Sequence, residues 1–457
     1  MSRDAVGAYH ELLTDELAAD SQAHLDDQQR RRGLFFGDRP LCTVLRPRFL
    51  TPAQYRNTQQ RGALVLAAFA KAHAAARRDA AFRAQFGLWD WEETLVQIDP
   101  GFADTSPTAR LDAFFEPGGA AGPTPGHGLR FTEYNAETPA GAGYSEVLAE
   151  VFDGLPVMRA FARHFELRAL RTRAPVMHVL LDAYAEWSGR RERPRIAILD
   201  WREVPTYSEF LIFERYFGSQ GLECVIADPR EVEYRQGRLM AGDFHVTLIY
   251  KRVLISELVE RCGLEGAVVR AVRDRAVCMV NPFSCKILHK KASLAVLSDE
   301  RNAALFSPEE RQAVADHIPW TRTVEERRTE FRGRTIDLLP FVREHRDQFV
   351  LKPNDEYGGK GILLGWQVGD QAWEEGLRAA LTEPYIVQER ITLPTEPYPA
   401  MVDGRLYVSD RMFDTAPFVF HGAYVEGCLT RIATDPLLNV TAGGGSTVPT
   451  YVVEARR

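Results

Sequence analysis

A lysine beside a glycine-rich turn is the pattern in this sequence that is best suited to binding an anion. Residues 349–365, FVLKPNDEYGGKGILLG, read as an apolar strand ending near Lys352, a polar turn and a second apolar strand. The turn places three glycines around a second lysine: Gly358, Gly359, Lys360 and Gly361. Because glycine has no Cβ, its backbone N–H groups can approach an anion closely, and a lysine adds positive charge. The segment predicts either a lid over the phosphates of a nucleotide or an ordinary hairpin with a glycine-rich turn.

A further apolar strand follows and leads into a charged segment. Residues 384–392 read PYIVQERIT. Beside a phosphate lid, this order predicts a hinge that reads an adenine edge, with Gln388, Glu389 and Ile391 as the binding residues. The glycine-rich turn has neither the GxxxxGK[ST] spacing of a P-loop nor the GxGxxG spacing of a dinucleotide site, so both of those classes are excluded.

The lysine-bearing strand, the glycine-rich hairpin and the strand ending in QERI together resemble the ATP-grasp superfamily. Its members join a carboxylate to an amine through an acyl phosphate. In that superfamily the magnesium ligands follow the hinge, but no Glu-x-Asn sequence follows Ile391 here. The missing half of the site must therefore lie elsewhere in the chain.

Two apolar-alternating segments upstream carry suitable acidic groups, namely 108–116, TARLDAFFE, and 129–141, LRFTEYNAETPAG. Glu133 and Asn135 are two residues apart, which puts them on one face of a strand, and Mg²⁺ prefers oxygen ligands. The resemblance implies that both hold magnesium together with Asp112, and the alternative is a pair of solvated strand faces. The inverted order resembles the circularly permuted ATP-grasp proteins, which are related to the glutathionylspermidine synthetase type of ligase.

The resemblance also places a phosphate-contacting lysine directly before a helix. The sequence KILHKKASLAVL offers such a place, and Lys291 fits it best, with Lys290 and Lys286 as alternatives. The competing interpretation is that these lysines are solvated at a helix start. The positive end of the helix dipole disfavours unpaired cations there, whereas a bound phosphate would relieve them.

Four arginines are candidate contacts for a substrate. Arg411 and Arg431 occur among apolar neighbours in two predicted strands, where each needs an anionic partner. We expect them to bind a substrate carboxylate or an acyl phosphate, and Arg110, in the Arg-x-Asp pattern, is grouped with them as catalytic. Arg202 follows the first strand of a predicted α/β unit and is a candidate substrate contact, with an ordinary surface arginine as the alternative.

Composition narrows the class of protein. The chain has 457 residues, of which 45% are hydrophobic and 26% charged, as in soluble globular proteins. The formal net charge of −7 argues against a nucleic-acid or anionic-membrane partner. Six scattered cysteines without a CxxC pair favour free thiols in a reducing compartment. Because neither a signal segment nor an apolar run of membrane-spanning length is visible, we expect a cytoplasmic protein.

The patterns predict an α/β fold with α+β elements. The resemblance implies a circularly permuted ATP-grasp core with a small, doubly wound pre-grasp domain. Segments 117–128 and 441–449 are predicted loops. The predicted regions are a mostly helical region at 1–90, magnesium-ligand strands plus helices at 91–190, a doubly wound α/β domain at 195–283 and a nucleotide-binding region at 284–457.

The resemblance implies an ATP-dependent carboxylate–amine ligase that uses ATP and Mg²⁺ and releases ADP and phosphate. Its partners would be a small-molecule or peptide carboxylate and an amine, with neither nucleic acid nor membrane. Two alternatives stay open, a phosphotransferase on the same scaffold and a catalytically silent ATP-binding scaffold subunit. The sequence contains neither the nucleophile elbow of a serine hydrolase nor an HExxH zinc motif.

Overall fold

The computed structural model describes residues 4–115, 128–356, 358–434 and 445–456. Most of the first predicted loop (117–127) and part of the second (441–444) lie outside these ranges. Helices and strands alternate along the chain, which confirms the α/β class. Among the helices of the described ranges, none combines the length and the apolarity needed to cross a bilayer.

The first part of the chain is mainly helical before it enters the acidic strands. Helix α3 begins at a capping box, in which Thr51 and Gln54 each accept the other's backbone N–H, and Pro52 occupies its first turn. The elements of this part are α1 (Ala5–Leu12), α2 (Asp15–Arg32), β1 (Phe35–Phe36), β2 (Arg39–Pro40), β3 (Arg48–Leu50), α3 (Pro52–Arg78), α4 (Ala80–Arg83), α5 (Asp90–Val96), β4 (Thr108–Phe115), β5 (Leu129–Asn135), α6 (Ala142–Gly154), α7 (Pro156–Phe161), β6 (Phe165–Ala169) and α8 (Arg173–Ser188).

The middle of the chain forms a parallel α/β unit. Strands β13, β12, β7 and β8 lie side by side in that order, all parallel, and a three-stranded antiparallel sheet, β11-β10-β9, is inserted in the unit. Alternate residues of β7 pack into two separate cores. Ile196 and Ile198 pack with α8 and α9 on one face, and Ala197 and Leu199 pack with α10 and α11 on the other. Helices therefore cover both faces, and the predicted doubly wound sheet is confirmed. The elements are β7 (Arg195–Leu199), α9 (Tyr207–Ser219), β8 (Glu223–Ala227), β9 (Val232–Arg235), β10 (Arg238–Ala241), β11 (Phe244–Val246), β12 (Leu248–Lys251), α10 (Ile255–Cys262), α11 (Ala267–Arg273) and β13 (Cys278–Val280).

The last part of the chain alternates short helices with two sets of strands. The elements are α12 (Lys286–His289), α13 (Ala292–Ser298), α14 (Pro308–His317), β14 (Thr321–Thr323), β15 (Arg328–Phe331), β16 (Arg334–Asp337), α15 (Leu338–Glu344), β17 (Phe349–Pro353), β18 (Leu363–Leu364), α16 (Asp370–Ala379), β19 (Tyr385–Glu389), β20 (Thr395–Val402), β21 (Arg405–Phe413), β22 (Ala416–Phe420), β23 (Tyr424–Ala433), β24 (Ser446–Val448) and β25 (Thr450–Ala455).

One large antiparallel sheet joins strands that are far apart in sequence. Its order is β20-β21-β23-β22-β4-β5, and β24 pairs with β23. The acidic strands β4 and β5 thus lie beside strands from the end of the chain, with Arg110 opposite Phe418. Helix α3 packs on this sheet, where Phe69 stacks on Tyr134 with ring centroids 4.6 Å apart.

The predicted glycine-rich hairpin belongs to a second, smaller sheet. Strand β17 pairs with β18 on one side and with β19 on the other, both antiparallel, and β14 completes the order β14-β19-β17-β18. Phe349 and Leu351 point into a core that also contains Trp373 of α16. The outward-facing residues of β17 and β19 are therefore directed away from that core, toward the large sheet.

Candidate active site

A cavity of about 180 Å³ separates the hairpin sheet from the acidic strands of the large sheet. Its lining includes residues from β4, β5, β17, β19 and β23, together with the glycine-rich turn. Most of the predicted site residues line it: Asp112, Glu133, Lys352, Gly358, Gly359, Gln388, Glu389, Ile391 and Arg431. The structure thus brings together sequence segments from opposite halves of the chain.

The cavity lining combines apolar and ionic side chains. The apolar ones are Val350, Ile362, Leu364, Trp366, Ile391 and Leu393, and we call this group the apolar end. The ionic ones include Asp112, Lys352 and Arg431, of which Arg431 pairs with Asp112 at 2.7 Å, and we call this group the charged end. A lining that contains both kinds of side chain suits a ligand with a flat ring and charged groups.

Asp112 and Glu133 form the acidic part of the charged end. They are register partners in the β4–β5 ladder, which puts both carboxylates on one face. Arg110 binds Asp112 with two donors, Nε to Oδ1 at 2.6 Å and Nη2 to Oδ2 at 3.0 Å, and Arg431 reaches Oδ2 at 2.7 Å. Burial raises the pKa of Asp112, but the charges of Arg110 and Arg431 outweigh burial and hold that pKa well below its usual range.

Asp414 holds Arg431 in place and was not anticipated from the sequence. It accepts the Arg431 backbone N–H on one oxygen and the Arg431 Nε–H on the other, both at 2.6 Å. Burial raises the pKa of Asp414 despite that partner, and the Asp112 charge adds to the shift. A single buried aspartate at a strand end gave no signal in the sequence, because its partner lies on another strand.

Lys291 is the lysine of its cluster that faces the acidic strands. It precedes α13 directly, and its Nζ lies 2.9 Å from Glu133 Oε1 and donates to the Glu356 carbonyl at 2.6 Å. Burial raises the pKa of Glu133, but the charge and hydrogen bond of Lys291 together with the charge of Lys352 outweigh burial, and the pKa is lowered. Lys290 and Lys291, which form one basic pair in the sequence, therefore have different surroundings in the structure.

Lys290 and Lys286 turn into a separate buried cluster. Lys290 Nζ lies 2.7 Å from Glu92 and 3.0 Å from Asp355, and Lys286 Nζ lies 2.8 Å from Asp355 and 3.2 Å from Glu137. Both lysines are 1% exposed. Each is already matched by carboxylates, so neither lysine is available to an anion in the cavity.

Lys352 projects from β17 into the cavity. Its Nζ donates to Gln388 Oε1 at 2.6 Å and to the Thr132 carbonyl at 3.4 Å. Burial lowers the pKa of Lys352 to about 8, and the charge of Glu133 only partly offsets that effect. This lysine is short of negative charge, in contrast to Lys286 and Lys290.

The glycine-rich turn requires its glycines. Gly358, Gly359 and Gly361 have φ of 65°, 79° and 73°, a region that favours glycine. A Cβ on Gly361 would come within 2.7 Å of Pro353 Cγ. Lys360 points to solvent, where it lies 3.3 Å from Glu356, so the structure does not bring it into the cavity.

At the predicted hinge, the backbone of β19 up to Glu389 is paired with the neighbouring strands of the sheet. The Glu389 N–H donates to the Trp320 carbonyl, and the Glu389 side chain pairs with Arg332 at 2.6 Å. The Gln388 side chain binds Lys352. Ile391 lies past the end of β19 at the apolar end of the cavity. Glu389 and Ile391 also line a second cavity of about 640 Å³.

Three further predicted residues lie apart from this cavity. Asn135 sits opposite Arg110 in the ladder, on the face of Glu133, but outside the described lining. Arg411 on β21 is opposite Glu396 and likewise outside the lining. Arg202 forms a surface ion pair with Glu231. Within the described residues, no three His, Cys, Asp or Glu side chains gather as a metal centre would require.

Comparison with known proteins gives a family match. The family described as circularly permuted ATP-grasp type 2 matches residues 124–433. A protein of Frankia casuarinae named as a candidate glutamate–cysteine ligase is 24% identical over 347 residues, which are 69% of this chain and 36% of that protein. The chain thus spans about a third of the length of that relative.

Two solved structures are also similar. A glutathione synthetase-like effector from Globodera pallida superposes with a TM-score of 0.62 at 12% identity, covering 96% of this chain and 98% of that one. It has the same fold. A candidate γ-glutamylcysteine synthetase from Methylobacillus flagellatus has a TM-score of 0.42 at 13% identity, with 88% and 89% of the two chains covered.

Proposed function

This chain belongs to the circularly permuted ATP-grasp family, type 2, and on that premise we propose that it is an ATP-dependent carboxylate–amine ligase. The observation that carries the proposal is the cavity whose lining combines apolar side chains with Lys352, Arg431 and the carboxylates of Asp112 and Glu133. Lys291 lies outside the described lining but pairs with Glu133. Adenine would occupy the apolar end near Ile391, and the phosphates would lie against the lysines. The glycine-rich turn would cover them.

The proposed reaction has two steps. A carboxylate oxygen of the acid substrate attacks the γ-phosphorus of ATP, and ADP leaves with the electron pair of the broken P–O bond. The amine nitrogen then attacks the acyl carbon, phosphate leaves, and the nitrogen loses a proton as the amide forms. Such a reaction depends on positioning and on neutralising charge rather than on a nucleophilic side chain. Cationic side chains at the charged end are what it needs.

The cationic side chains have two proposed tasks. Lys352 and Lys291 hold phosphate oxygens, because both project toward the charged end and Lys352 lacks a matching carboxylate. Arg431 orients the substrate carboxylate and stabilises the negative charge of the acyl phosphate. Asp414 fixes the guanidinium of Arg431 for that task.

The charged end also suits a magnesium ion. Asp112 and Glu133 are register partners with hard oxygen ligands, and both line the cavity. Their carboxylates are occupied by Arg110 and Arg431 on Asp112 and by Lys291 on Glu133, and these contacts would have to rearrange for the ion. Magnesium held there would neutralise negative charge on the phosphates. Asn135, on the same strand face, is the proposed third ligand.

The names of the relatives guide the choice of substrates. One relative is named as a candidate glutamate–cysteine ligase, so we propose an amino acid or short peptide as the acid. The amine would be an amino acid or a polyamine. We further propose that the protein acts in the cytoplasm as a small-molecule enzyme.

The test is ADP and phosphate release with magnesium and ATP, across pooled acids with and without pooled amines. We expect release that depends on an amine, with a product lighter by one water than its two substrates together. Lys352→Met should lower the rate of release by about 10²–10³-fold, while Lys71→Met, at a lysine that pairs with Glu310 on α14, should leave it unchanged. Release without an amine, leaving a phosphorylated product, would contradict the ligase and favour a phosphotransferase. ATP binding without release in any pool would favour a silent scaffold.

A further inference from the structure

We propose that Gln388 is a positioning residue for Lys352, holding its ammonium group at the phosphate end of the cavity, with the Gln388 amide locked in one orientation by Thr321. This inference rests on the proposed function, since it assigns Lys352 to phosphate. It differs from the role that the sequence predicts for Gln388, which is reading the adenine edge.

The position of Gln388 on the sheet allows it to reach both partners. It lies on β19, the strand between β14 and β17, opposite Thr321 on one side and Val350 on the other. Lys352 is paired with Ile386, two residues before Gln388 on the same strand face. Gln388 is 2% exposed and Thr321 is fully buried, so water does not compete for these groups.

The hydrogen bonds fix the direction of the amide. Lys352 Nζ donates to Gln388 Oε1 at 2.6 Å, and Gln388 Nε2 donates to Thr321 Oγ1 at 3.0 Å. The Thr321 hydroxyl gives its own proton to the Pro319 carbonyl at 2.7 Å, so it can only accept from the amide. Flipping the amide would face its NH₂ toward an ammonium group. The carbonyl oxygen of Gln388 is therefore held toward Lys352.

The contacts of the Lys352 ammonium group determine the direction in which it points. An ammonium group has three N–H donors. Two of them point to Gln388 Oε1 and to the Thr132 carbonyl, at 2.6 and 3.4 Å. Within the part of the chain that the structure describes, the third donor has no protein partner, which leaves it for a ligand in the cavity. The two protein contacts come from different sheets and together set its direction.

The neutral amide orients Lys352 without cancelling its charge. The charged groups that face Lys352 are Glu133 and Asp112 on the acidic strands and Lys291 before α13. A carboxylate at position 388 would form a close ion pair with the lysine and would repel phosphate. A glutamine keeps the positive charge for the ligand, which is the reason this position suits Gln rather than Glu.

The test measures ATP binding by calorimetry on the full chain with magnesium and no acid substrate, from about pH 7 to about pH 10, where the lysine loses its proton. Gln388→Leu is expected to weaken ATP binding about tenfold, because one charged hydrogen bond is lost. It should also lower the alkaline midpoint, by which we mean the pH at which deprotonation of Lys352 has reduced the affinity halfway. Binding of GTP should weaken by the same factor, because the lost contact is to phosphate. A loss confined to ATP would assign Gln388 to adenine and overturn the proposal.

Gln388→Glu provides a second variant of nearly the same shape, which keeps the test valid if Gln388→Leu does not fold. We expect the alkaline midpoint and the affinity at neutral pH to change in opposite directions. The alkaline midpoint should rise by about one pH unit through the new ion pair, while affinity at neutral pH falls. A merely structural role would leave the midpoint in place. Gln371→Leu, on the exposed face of α16, is the matched control.

The outcomes separate the inference from the proposed function. If the wild-type chain binds ATP but neither variant changes affinity or midpoint, the inference is wrong and the proposed function stands. If the wild-type chain binds no ATP, the proposed function fails and the inference fails with it.

Discussion

Two groups of buried lysines lie close together in this molecule and have opposite electrostatic properties. In the first, Lys286 and Lys290 are matched by carboxylates of Glu92, Glu137 and Asp355. Burial would lower the pKa of Lys286, but these acids outweigh burial and raise that pKa above its ordinary value. This cluster is electrostatically complete, and it joins α5, α12 and the end of the β17 strand.

In the second group, Lys352 lines a cavity and is short of negative charge. Burial lowers the pKa of Lys352 to about 8. The carboxylate of Glu133 offsets burial only in part, and it also pairs with Lys291 at 2.9 Å. A buried lysine whose charge is balanced by carboxylates thus stabilises the fold, whereas Lys352, whose charge is not balanced, is available to a ligand. The comparison predicts that mutations in the first group reduce stability, and mutations in the second reduce activity.

The largest expected effect is the loss of stability in the complete cluster. Glu137→Ala should lower the free energy of unfolding by about 3–5 kcal/mol, because it removes the carboxylate that pairs with the buried Lys251 and one of the carboxylates that pair with Lys286. Chemical denaturation measures this. Glu150→Ala, which breaks exposed ion pairs with Arg32 and Arg173, is the control and should cost less than about 1 kcal/mol. Equal losses in the two variants would remove the distinction between the groups.

The next effect is catalytic. Lys352→Met should lower turnover by about 10²–10³-fold, the range for removing one contact to developing charge, while the folded state is kept. The free energy of unfolding without nucleotide should not fall, since the change relieves a buried charge. We would measure turnover and denaturation on the same preparation. Full turnover in the variant would refute the assignment of Lys352 to phosphate.

A smaller effect is expected in the pH dependence of stability. The pKa of Lys352 is about 8 in the folded chain and about 10.5 in an unfolded chain, so the unfolded state binds more protons between these values. The contribution of Lys352 to stability should therefore be unfavourable below pH 8 and should improve as pH rises toward 10.5. Relative to Lys352→Met, the free energy of unfolding of the wild-type chain should rise by about 2–3 kcal/mol between pH 8 and pH 10.5. A flat difference would mean that the pKa is not lowered.

The smallest effect is expected at Arg202, outside both groups. Its guanidinium pairs with Glu231 on the surface, with side chains that are 55% and 53% exposed. Arg202→Ala should change stability by less than about 1 kcal/mol and leave the KM of both substrates unaltered. Steady-state kinetics check this. A raised KM would support the substrate contact that the sequence pattern favoured.

The sequence predicted much of the fold because the strands carry clear local signals. The acidic strands, the glycine-rich hairpin and the α/β unit follow from apolar alternation and turn residues, and their permuted order follows from where the motifs occur. The sequence favoured Lys291 over Lys290 and Lys286 as the lysine near the acidic strands but did not fix the choice, because Lys290 and Lys291 are neighbours whose directions depend on the end of α12. The roles of Gln388 and Asp414 depend on partners from distant strands. Asn135 and Arg411 show the converse, since suitable residue types in suitable strands lie outside the described lining of the cavity.

The central claim is that the cavity lacks negative charge at Lys352 and that ATP supplies it. Calorimetry of ATP binding near pH 8, in two buffers with different ionisation enthalpies, measures the protons taken up. We expect an uptake of about half a proton in the wild-type chain, since Lys352 is half protonated there and becomes fully protonated beside phosphate. Lys352→Arg, which stays protonated, should bind without it. Uptake that is absent in the wild type, or equal in both proteins, would contradict the account.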